Sequence, residues 1–179
     1  MSKKSITALA SLIIALASTT FAQSPTAAGT VRTLLTYEKQ HDNARDMTFN
    51  QRNLNIYKKW ITPELYRLFT VELAREKREA KLHPDDKPYF GDGMDFGPMK
   101  EYCKENGRVY KQQFSLRLAA RSSKFTIVPA AFFYNKACGG GDPIIYRFKL
   151  VRRPSGWLID DIDYGANGSL RRDLRRAGK

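Results

Sequence analysis

The sequence predicts an α+β protein with helices in its first half and an antiparallel sheet of four strands in its second half. Three observations support this class. Apolar residues recur at helical spacing before the middle of the chain, they alternate with polar residues after it, and short turn sequences separate the alternating segments. Hydrophobic residues at 42% and charged residues at 27% exclude a disordered or fibrous chain.

The first 22 residues have the three-part pattern of a secretory signal peptide. Lys3-Lys4 gives a basic start, residues 6–17 are nearly all apolar, and Thr20-Phe21-Ala22 has small residues where signal peptidase cleaves. A membrane anchor is the alternative, but it needs about 20 apolar residues. Cleavage after Ala22 leaves one α+β domain over 23–179, periplasmic or secreted and without a transmembrane segment. That domain has 29 basic and 18 acidic residues, a balance of +11.

Helical signals follow the signal peptide. Ser24-Pro25 is typical of an N-cap followed by a first-turn proline, and it predicts a short helix that ends near Gln40. Helical spacing then returns at Leu54, Tyr57 and Ile61. We expect these segments to bury their apolar faces against the later sheet.

A longer helix is predicted to begin at Thr62-Pro63-Glu64-Leu65. Thr62 suits the N-cap, Pro63 the first helical position, and Glu64 the positive end of the helix dipole. His83-Pro84 ends this helix, and residues 85–98 form a crossover loop rich in proline and glycine. The predicted buried stripe of the helix consists of Leu65, Leu68, Phe69 and Leu73.

Short turns between the strands of the second half predict a meander. The four predicted strands are 110–118, 125–134, 144–151 and 157–164. Both faces of the second strand are apolar, so the outer face of the sheet either closes a cavity or meets a partner, for example in a dimer. Pro129 in this strand lacks an N–H donor, which favours an edge position or a bulge.

This order of elements, which ends in Trp157-Leu158-Ile159-Asp160-Asp161-Ile162, resembles the nuclear transport factor 2-like superfamily, a cystatin-like cone. The chain is further similar to a bacterial exported family of unknown function with that fold. The shared residues are Thr62–Leu65, Asp86–Tyr89, Gly91-Asp92, Phe96, Trp157–Tyr164 and Ser169-Leu170. The resemblance implies a curved sheet around one long helix and a free pocket or sheet face, and it brings no catalytic residues.

Two cysteines, Cys103 and Cys138, lie in the mature part of the chain. In an oxidising compartment an even pair is most simply a disulfide. The alternative is a nucleophilic cysteine, which needs a nearby base, and neither thiol has a histidine close in sequence. We therefore predict a Cys103–Cys138 disulfide.

Three carboxylates, Asp160, Asp161 and Asp163, are the candidates for catalysis. Strand alternation places Asp161 and Asp163 on one face and Asp160 on the other, so convergence on a metal ion is not expected. Ion pairs with Arg147 or Arg152 are the favoured explanation. In the alternative, Asp161 or Asp163 lies inside an apolar cone and acts as a general base.

Two further patterns could indicate a catalytic or phosphate-binding site, but both have a simpler structural explanation. His41 and His83 could form the acid–base pair of a ribonuclease, but their charged surroundings favour a position facing solvent. The run Cys138–Pro143 has three glycines but lacks the Lys-Ser/Thr of a phosphate loop and leads into a strand, so we predict a hairpin loop. No cofactor and no metal site is predicted.

The net charge of +13 is the most informative bulk property. Outside the cytoplasm the anions available to a basic chain are acidic proteins and envelope components, and nucleic acid is not expected. A short terminal helix is predicted to pack through Leu170 and Leu174, with its arginines outward. The candidate binding residues are Arg171, Arg172, Arg175 and Arg176.

Together these features predict an exported, non-enzymatic binding protein. A toxin-neutralising immunity protein or an envelope-associated protein is one form of this prediction. The alternative is a small hydrolase or isomerase that acts on a small molecule inside the cone.

Overall fold

The computed structural model describes residues 26–41, 48–85, 96–98, 102–117, 119–121, 124–134 and 136–177. The signal peptide predicted at 1–22 and the stretch from Asp86 to Asp92 that contributed to the family resemblance lie outside the described residues. In the described residues the order of elements is helices first and antiparallel strands second, which confirms the predicted α+β class.

Four α-helices occur in the part of the chain that the structure describes. They are α1 (Ala27–Gln40), α2 (Gln51–Tyr57), α3 (Pro63–Leu82) and α4 (Leu170–Ala177). The stripe predicted for α3 is confirmed, because all four of its members are buried. The charged end of α3 is exposed from Lys77 onward, and the helix ends at His83 as predicted.

The N-cap predicted for α3 is confirmed, and the N-cap predicted for α1 is wrong. The Thr62 hydroxyl accepts a hydrogen bond from the backbone N–H of Leu65 at 3.2 Å, so Thr62 is the predicted N-cap. In α1 the N-cap is Thr26 instead of Ser24, and its hydroxyl accepts from the N–H of Gly29 at 3.0 Å. Both residues are good caps, and the helix begins where the apolar stripe first meets the core.

The strands form one sheet of five strands and a separate hairpin. The bounds are β1 (Tyr102–Glu105), β2 (Arg108–Lys111), β3 (Gln113–Leu116), β4 (Ala120–Arg121), β5 (Thr126–Phe133), β6 (Ile144–Arg153) and β7 (Gly156–Asp163). The sheet has the order β3-β5-β6-β7, all antiparallel, and β4 also pairs with β5. This order confirms the predicted meander of four successive strands.

The first predicted strand, 110–118, is wrong as a single element. The chain breaks at Gln112, where β2 leaves the main sheet and pairs with β1. Asn106 and Gly107 form the turn of this hairpin, and both have positive φ angles, 50° and 74°. Asn-Gly is the strongest short-range signal of a hairpin, so this element was readable in the sequence.

Pro129 is not at an edge, because β5 pairs with β6 on one side and with β3 and β4 on the other. The carbonyl of Pro129 accepts from the N–H of Arg117 at 2.9 Å, so its nitrogen faces the same side. On that side the pairing partner changes from β3 to β4, and a missing donor there interrupts no regular ladder.

The core lies between one face of the sheet and the helices. Val128, Ala130 and Phe132 of β5 point into it and are fully buried. Segment 60–62 adds to the edge of β7, since Ile159 donates to the Trp60 carbonyl and the N–H of Thr62 donates to Ile159. Ile61 therefore lies in a bridge to the sheet and does not continue α2.

Candidate functional site

Helix α4 is fixed to the rest of the protein by its two leucines. Leu170 and Leu174 retain 3% and 1% of their accessible surface, as predicted for a terminal helix that packs on the core. The arginines between and after them cover the opposite side, but not all of them face outward. The side chain of Arg171 is only 22% exposed and points toward β7.

Two carboxylates of β7 hold α4 in place through Arg171. Asp160 Oδ2 accepts a hydrogen bond from Arg171 Nη1 at 2.6 Å, and Asp161 Oδ1 accepts from the Arg171 backbone N–H at 2.9 Å. The second bond satisfies one of the free N–H groups in the first turn of α4. Glu64 Oε1 of α3 lies 3.8 Å from Arg171 Nη2 and adds a third carboxylate. We call Asp160, Asp161 and Arg171 the β7–α4 clamp.

A β-bulge explains why neighbouring aspartates reach the same arginine. In the pairing of β6 with β7, Lys149 is opposite Asp161 and Leu150 is opposite Ile159, which leaves Asp160 as the extra residue. The bulge interrupts the strict alternation that the sequence analysis assumed. Asp160 and Asp161 therefore both contact Arg171, whereas alternation placed them on opposite faces.

An open groove of 330 Å³ lies beside the clamp. All of its described lining residues are polar, and they include the four arginines that the sequence analysis selected for binding. The lining consists of Asp161, Ser169, Arg171, Arg172, Arg175 and Arg176. We call it the arginine groove. Ser169 was missed as a site residue, although a serine directly before a helix is a start signal.

The four arginines of the groove have different partners. Arg171 is held by the clamp, and Arg172 donates from Nη2 to the carbonyl of Asn167 at 2.8 Å. The Nε of Arg172 is 3.6 Å from Asp173 Oδ1. Arg175 and Arg176 are exposed and form no hydrogen bond or ion pair with the residues that the structure describes.

Gly168 makes the position of Arg172 possible. It has a φ of 103°, which disfavours other residues, and a Cβ built on it would overlap the Arg172 guanidinium. The guanidinium therefore lies directly over the glycine backbone.

Glu64 links the groove to α3, and neighbouring arginines lower the pKa of its carboxyl. Arg67 donates to both of its carboxylate oxygens, at 3.1 and 3.0 Å. These hydrogen bonds, with smaller contributions from the charges of Arg67, Arg171 and Arg175, hold the pKa of the Glu64 carboxyl below its ordinary value of 4.5. The carboxylate near Arg171 is therefore charged at neutral pH.

The two candidate catalytic aspartates both form structural bonds. Asp161 caps α4 in the clamp. Asp163 Oδ1 accepts from the N–H of Gly165 at 2.8 Å, and its Oδ2 is 3.6 Å from Arg147 Nη1, as predicted for one of the strand arginines. The Asp163 side chain is 50% exposed, so it is not enclosed by apolar residues. A catalytic role for either residue stays a prediction.

An aromatic side chain from the crossover loop is buried in the core. Phe96 is fully buried, with its ring centroid 4.9 Å from that of Tyr57 and 5.7 Å from that of Phe69. The N–H of Phe96 donates to the buried carboxylate of Glu38 at 2.9 Å.

The outer face of the sheet, the second predicted interaction surface, presents apolar residues of β5. Ile127 and Pro129 are half-buried, and Phe133 is 37% exposed. Arg147 and Lys149 of β6 flank them. Dimerisation through this face stays a prediction.

The predicted disulfide is confirmed. Cys103 of β1 is bonded to Cys138, with the two Cα atoms 6.0 Å apart, and the bond attaches the β1–β2 hairpin to the segment after β5. Gly139, Gly140 and Gly141 follow with positive φ angles and connect β5 to β6, as expected for a hairpin loop. The loop leads into a strand, so no helix dipole supports phosphate binding there.

The histidines lie at the C-terminal ends of two different helices. His41 caps α1 and stacks on Tyr37 with ring centroids 4.1 Å apart, and His83 caps α3 and is exposed. Within the described ranges, no three His, Cys, Asp or Glu side chains are arranged to hold a metal ion. None of the described helices is long and apolar enough to cross a membrane.

No protein-family model and no curated protein matches the chain. Among solved structures, it is weakly similar to the phospholipid-binding protein from Ralstonia solanacearum, determined in complex with a phospholipid. The two chains are 10% identical, the TM-score is 0.30, and the alignment covers 85% of this chain and 70% of the other. A TM-score this low does not establish a common fold.

Proposed function

We propose that this chain is an exported, non-enzymatic binding protein that recognises an anionic partner through the arginine groove. The observation that carries the proposal is the groove itself, in which four guanidinium groups line one surface and two of them form no hydrogen bond and no close ion pair with the described residues. The partner belongs to the anions outside the cytoplasm, either an acidic protein or a component of the envelope.

The fixed position of α4 favours recognition of a specific partner over non-specific attraction of anions. The β7–α4 clamp and the two buried leucines hold the helix on the core, so the arginines are presented from a rigid element. A preorganised site avoids part of the ordering cost that weakens association. A solvated terminal helix without these bonds would carry the same charge with much less selectivity.

The proposal of export rests on one feature of the sequence and one bond. The signal-peptide pattern at 1–22 directs the chain out of the cytoplasm, and the Cys103–Cys138 disulfide suits an oxidising compartment. The proposed fold is the nuclear transport factor 2-like cone of an exported family. A toxin-neutralising protein is the form of the proposal in which the partner is an acidic protein.

The contacts of the two candidate catalytic aspartates favour the surface groove over an interior catalytic site, since Asp161 and Asp163 both accept hydrogen bonds from backbone N–H groups. Binding at the groove needs no rearrangement of the core. The function is therefore proposed for the surface beside α4.

Arg175→Gln/Arg176→Gln tests the proposal against a control of equal charge. The control is Lys77→Gln/Arg78→Gln at the exposed end of α3, which also removes two positive charges. Each mature, oxidised protein is immobilised and exposed to periplasmic and envelope extract of the host, and the retained proteins, lipids and polymers are identified by mass spectrometry.

We expect the wild-type protein and the control to retain the same anionic species, and the groove variant to lose it. Equal retention by all three proteins would show that net charge, not the groove, is responsible. Retention of nothing by the wild-type protein would also contradict the proposal.

A further inference from the structure

The four arginines of the groove differ in how far neighbouring groups neutralise their charges. Arg171 is neutralised by Asp160, and Arg172 is bonded to Asn167 and lies near Asp173. The guanidinium groups of Arg175 and Arg176 form neither a hydrogen bond nor a close ion pair in the described part of the chain, and the charge of Arg175 acts on Glu64 at longer range. A single carboxylate would neutralise one of them, whereas a phosphate monoester carries about −1.5 to −2 at pH 7.

The positions of these two arginines favour a tetrahedral anion. Consecutive residues of an α-helix are separated by about 100° around its axis, so Arg175 and Arg176 approach the groove from different directions. Guanidinium is a planar fork of donors that binds phosphate oxygens in pairs. The oxygens of a phosphate point in several directions and can accept from both forks, but those of a carboxylate share one plane.

The groove is lined by polar residues, which favours a polar occupant. Its described lining has no aliphatic or aromatic side chain, whereas the centre of a protein interface and the site for an acyl chain are apolar. Ser169 adds a hydroxyl that can donate a hydrogen bond. The volume of 330 Å³ is at the lower end of the range for small-molecule sites, about 300–1,000 Å³, and has room for a phosphate with a short polar substituent.

We propose that the arginine groove binds a phosphate monoester group, with Arg175 and Arg176 as its main ligands and Ser169 as an additional donor. This inference rests on the proposed function and narrows its anionic partner to one chemical class. The group is carried either by a soluble molecule or by a lipid headgroup.

Calorimetric titration of the mature, oxidised protein at low salt tests the inference. The probes are glycerol 3-phosphate and succinate, which carry similar charge at pH 7.5 on a phosphate and on two carboxylates. We expect glycerol 3-phosphate to bind at least about tenfold more tightly than succinate. Arg175→Gln/Arg176→Gln should abolish this binding, and Lys77→Gln/Arg78→Gln should retain it.

Co-sedimentation with vesicles identifies the source of the phosphate. Phosphatidylcholine vesicles that contain phosphatidic acid present the same monoester on a membrane surface, and vesicles of phosphatidylcholine alone, a phosphodiester, are the control. Binding to the phosphatidic acid vesicles that Arg175→Gln/Arg176→Gln abolishes supports a lipid-borne group, and binding of glycerol 3-phosphate supports a soluble one.

Two results would overturn the inference without overturning the proposed function. Equal affinity for succinate and glycerol 3-phosphate would show a groove for anions in general. If the wild-type protein binds neither glycerol 3-phosphate nor vesicles that contain phosphatidic acid, a monoester is excluded. The extract experiment would still decide whether another anion occupies the groove.

Discussion

Replacing Asp161 separates the capping of α4 from the charge of the arginine groove. Its Oδ1 atom accepts from the N–H of Arg171 at 2.9 Å and from that of Ile162 at 2.8 Å. Asp161→Ala removes this acceptor, and Asp161→Asn retains an oxygen in the same place but removes the charge. The two variants should therefore differ in stability and both change the electrostatics of the groove.

The loss of stability follows from these contacts. Removal of a side chain that caps a helix costs about 0.5–2 kcal/mol, and loss of a negative charge near a helix N-terminus costs about 0.3–1 kcal/mol. For a domain of this size 1 kcal/mol lowers Tm by about 2–4 °C. We expect Asp161→Ala, which loses both the acceptor and the charge, to lower Tm by about 2–12 °C and Asp161→Asn by less than about 4 °C.

Asp161→Asn should increase the affinity of the groove for anions, although it lowers the stability of the protein. Asp161 is the carboxylate among the described lining residues of the groove, and its charge repels an incoming anion. Asp161→Asn should thus bind glycerol 3-phosphate severalfold more tightly while α4 stays in place. Asp161→Ala should gain less, because α4 is less firmly held.

Urea and thermal unfolding, followed by tryptophan fluorescence, measure the stabilities, and calorimetry measures the affinities. The reasoning is refuted if Asp161→Ala is as stable as the wild-type protein or if Asp161→Asn is destabilised as much as Asp161→Ala. Weaker anion binding by Asp161→Asn would refute the electrostatic part alone.

Three further predictions concern the core, the disulfide and Glu64. Phe96→Ala should lower the free energy of unfolding by about 3–5 kcal/mol, because it leaves a cavity at a fully buried ring; an unchanged urea midpoint would contradict this. Reduction of the Cys103–Cys138 bond, which spans 35 residues, should cost about 3–4 kcal/mol, and the double serine variant should unfold at the same urea concentration as the reduced protein. Because Arg67 lowers the folded-state pKa of Glu64, the stabilisation is present above the ordinary value of 4.5 and is lost as the pH falls through the folded-state pKa. Glu64→Gln should flatten the stability profile below about pH 4.5, and profiles parallel to the wild-type one would argue against this contribution.

Short-range signals account for the elements that were predicted well. The start of α3 is set by Thr62-Pro63, a cap and a first-turn proline whose preferences act within one helical turn. The order of β5, β6 and β7 follows from turns too short for anything but antiparallel pairing. The position of Pro129 inside the sheet was not predictable, because it depends on the point at which the strand that pairs with β5 changes from β3 to β4.

The candidate binding residues were identifiable from the sequence, but their separate roles were not. Four arginines on one short helix are visible as a cluster of charge. Their division into bonded and free side chains depends on the bulge at Asp160, which no local pattern specifies. Alternation along β7 placed the neighbouring aspartates on opposite faces, and the bulge brought both of them to Arg171.

The sequence by itself determined the class of fold, the disulfide and the concentration of positive charge at the C-terminus. These properties follow from periodicity, turn chemistry and residue type, which act locally or over the whole chain. Only the tertiary structure decided that Phe96 is buried in the core and that Arg175 and Arg176 line the groove without a hydrogen bond or close ion pair in the described residues. The reason is that burial and ion pairing depend on which side chains from different elements come into contact. A shift of one residue in the pairing of β7 was enough to bring Asp160 and Asp161 to the same arginine.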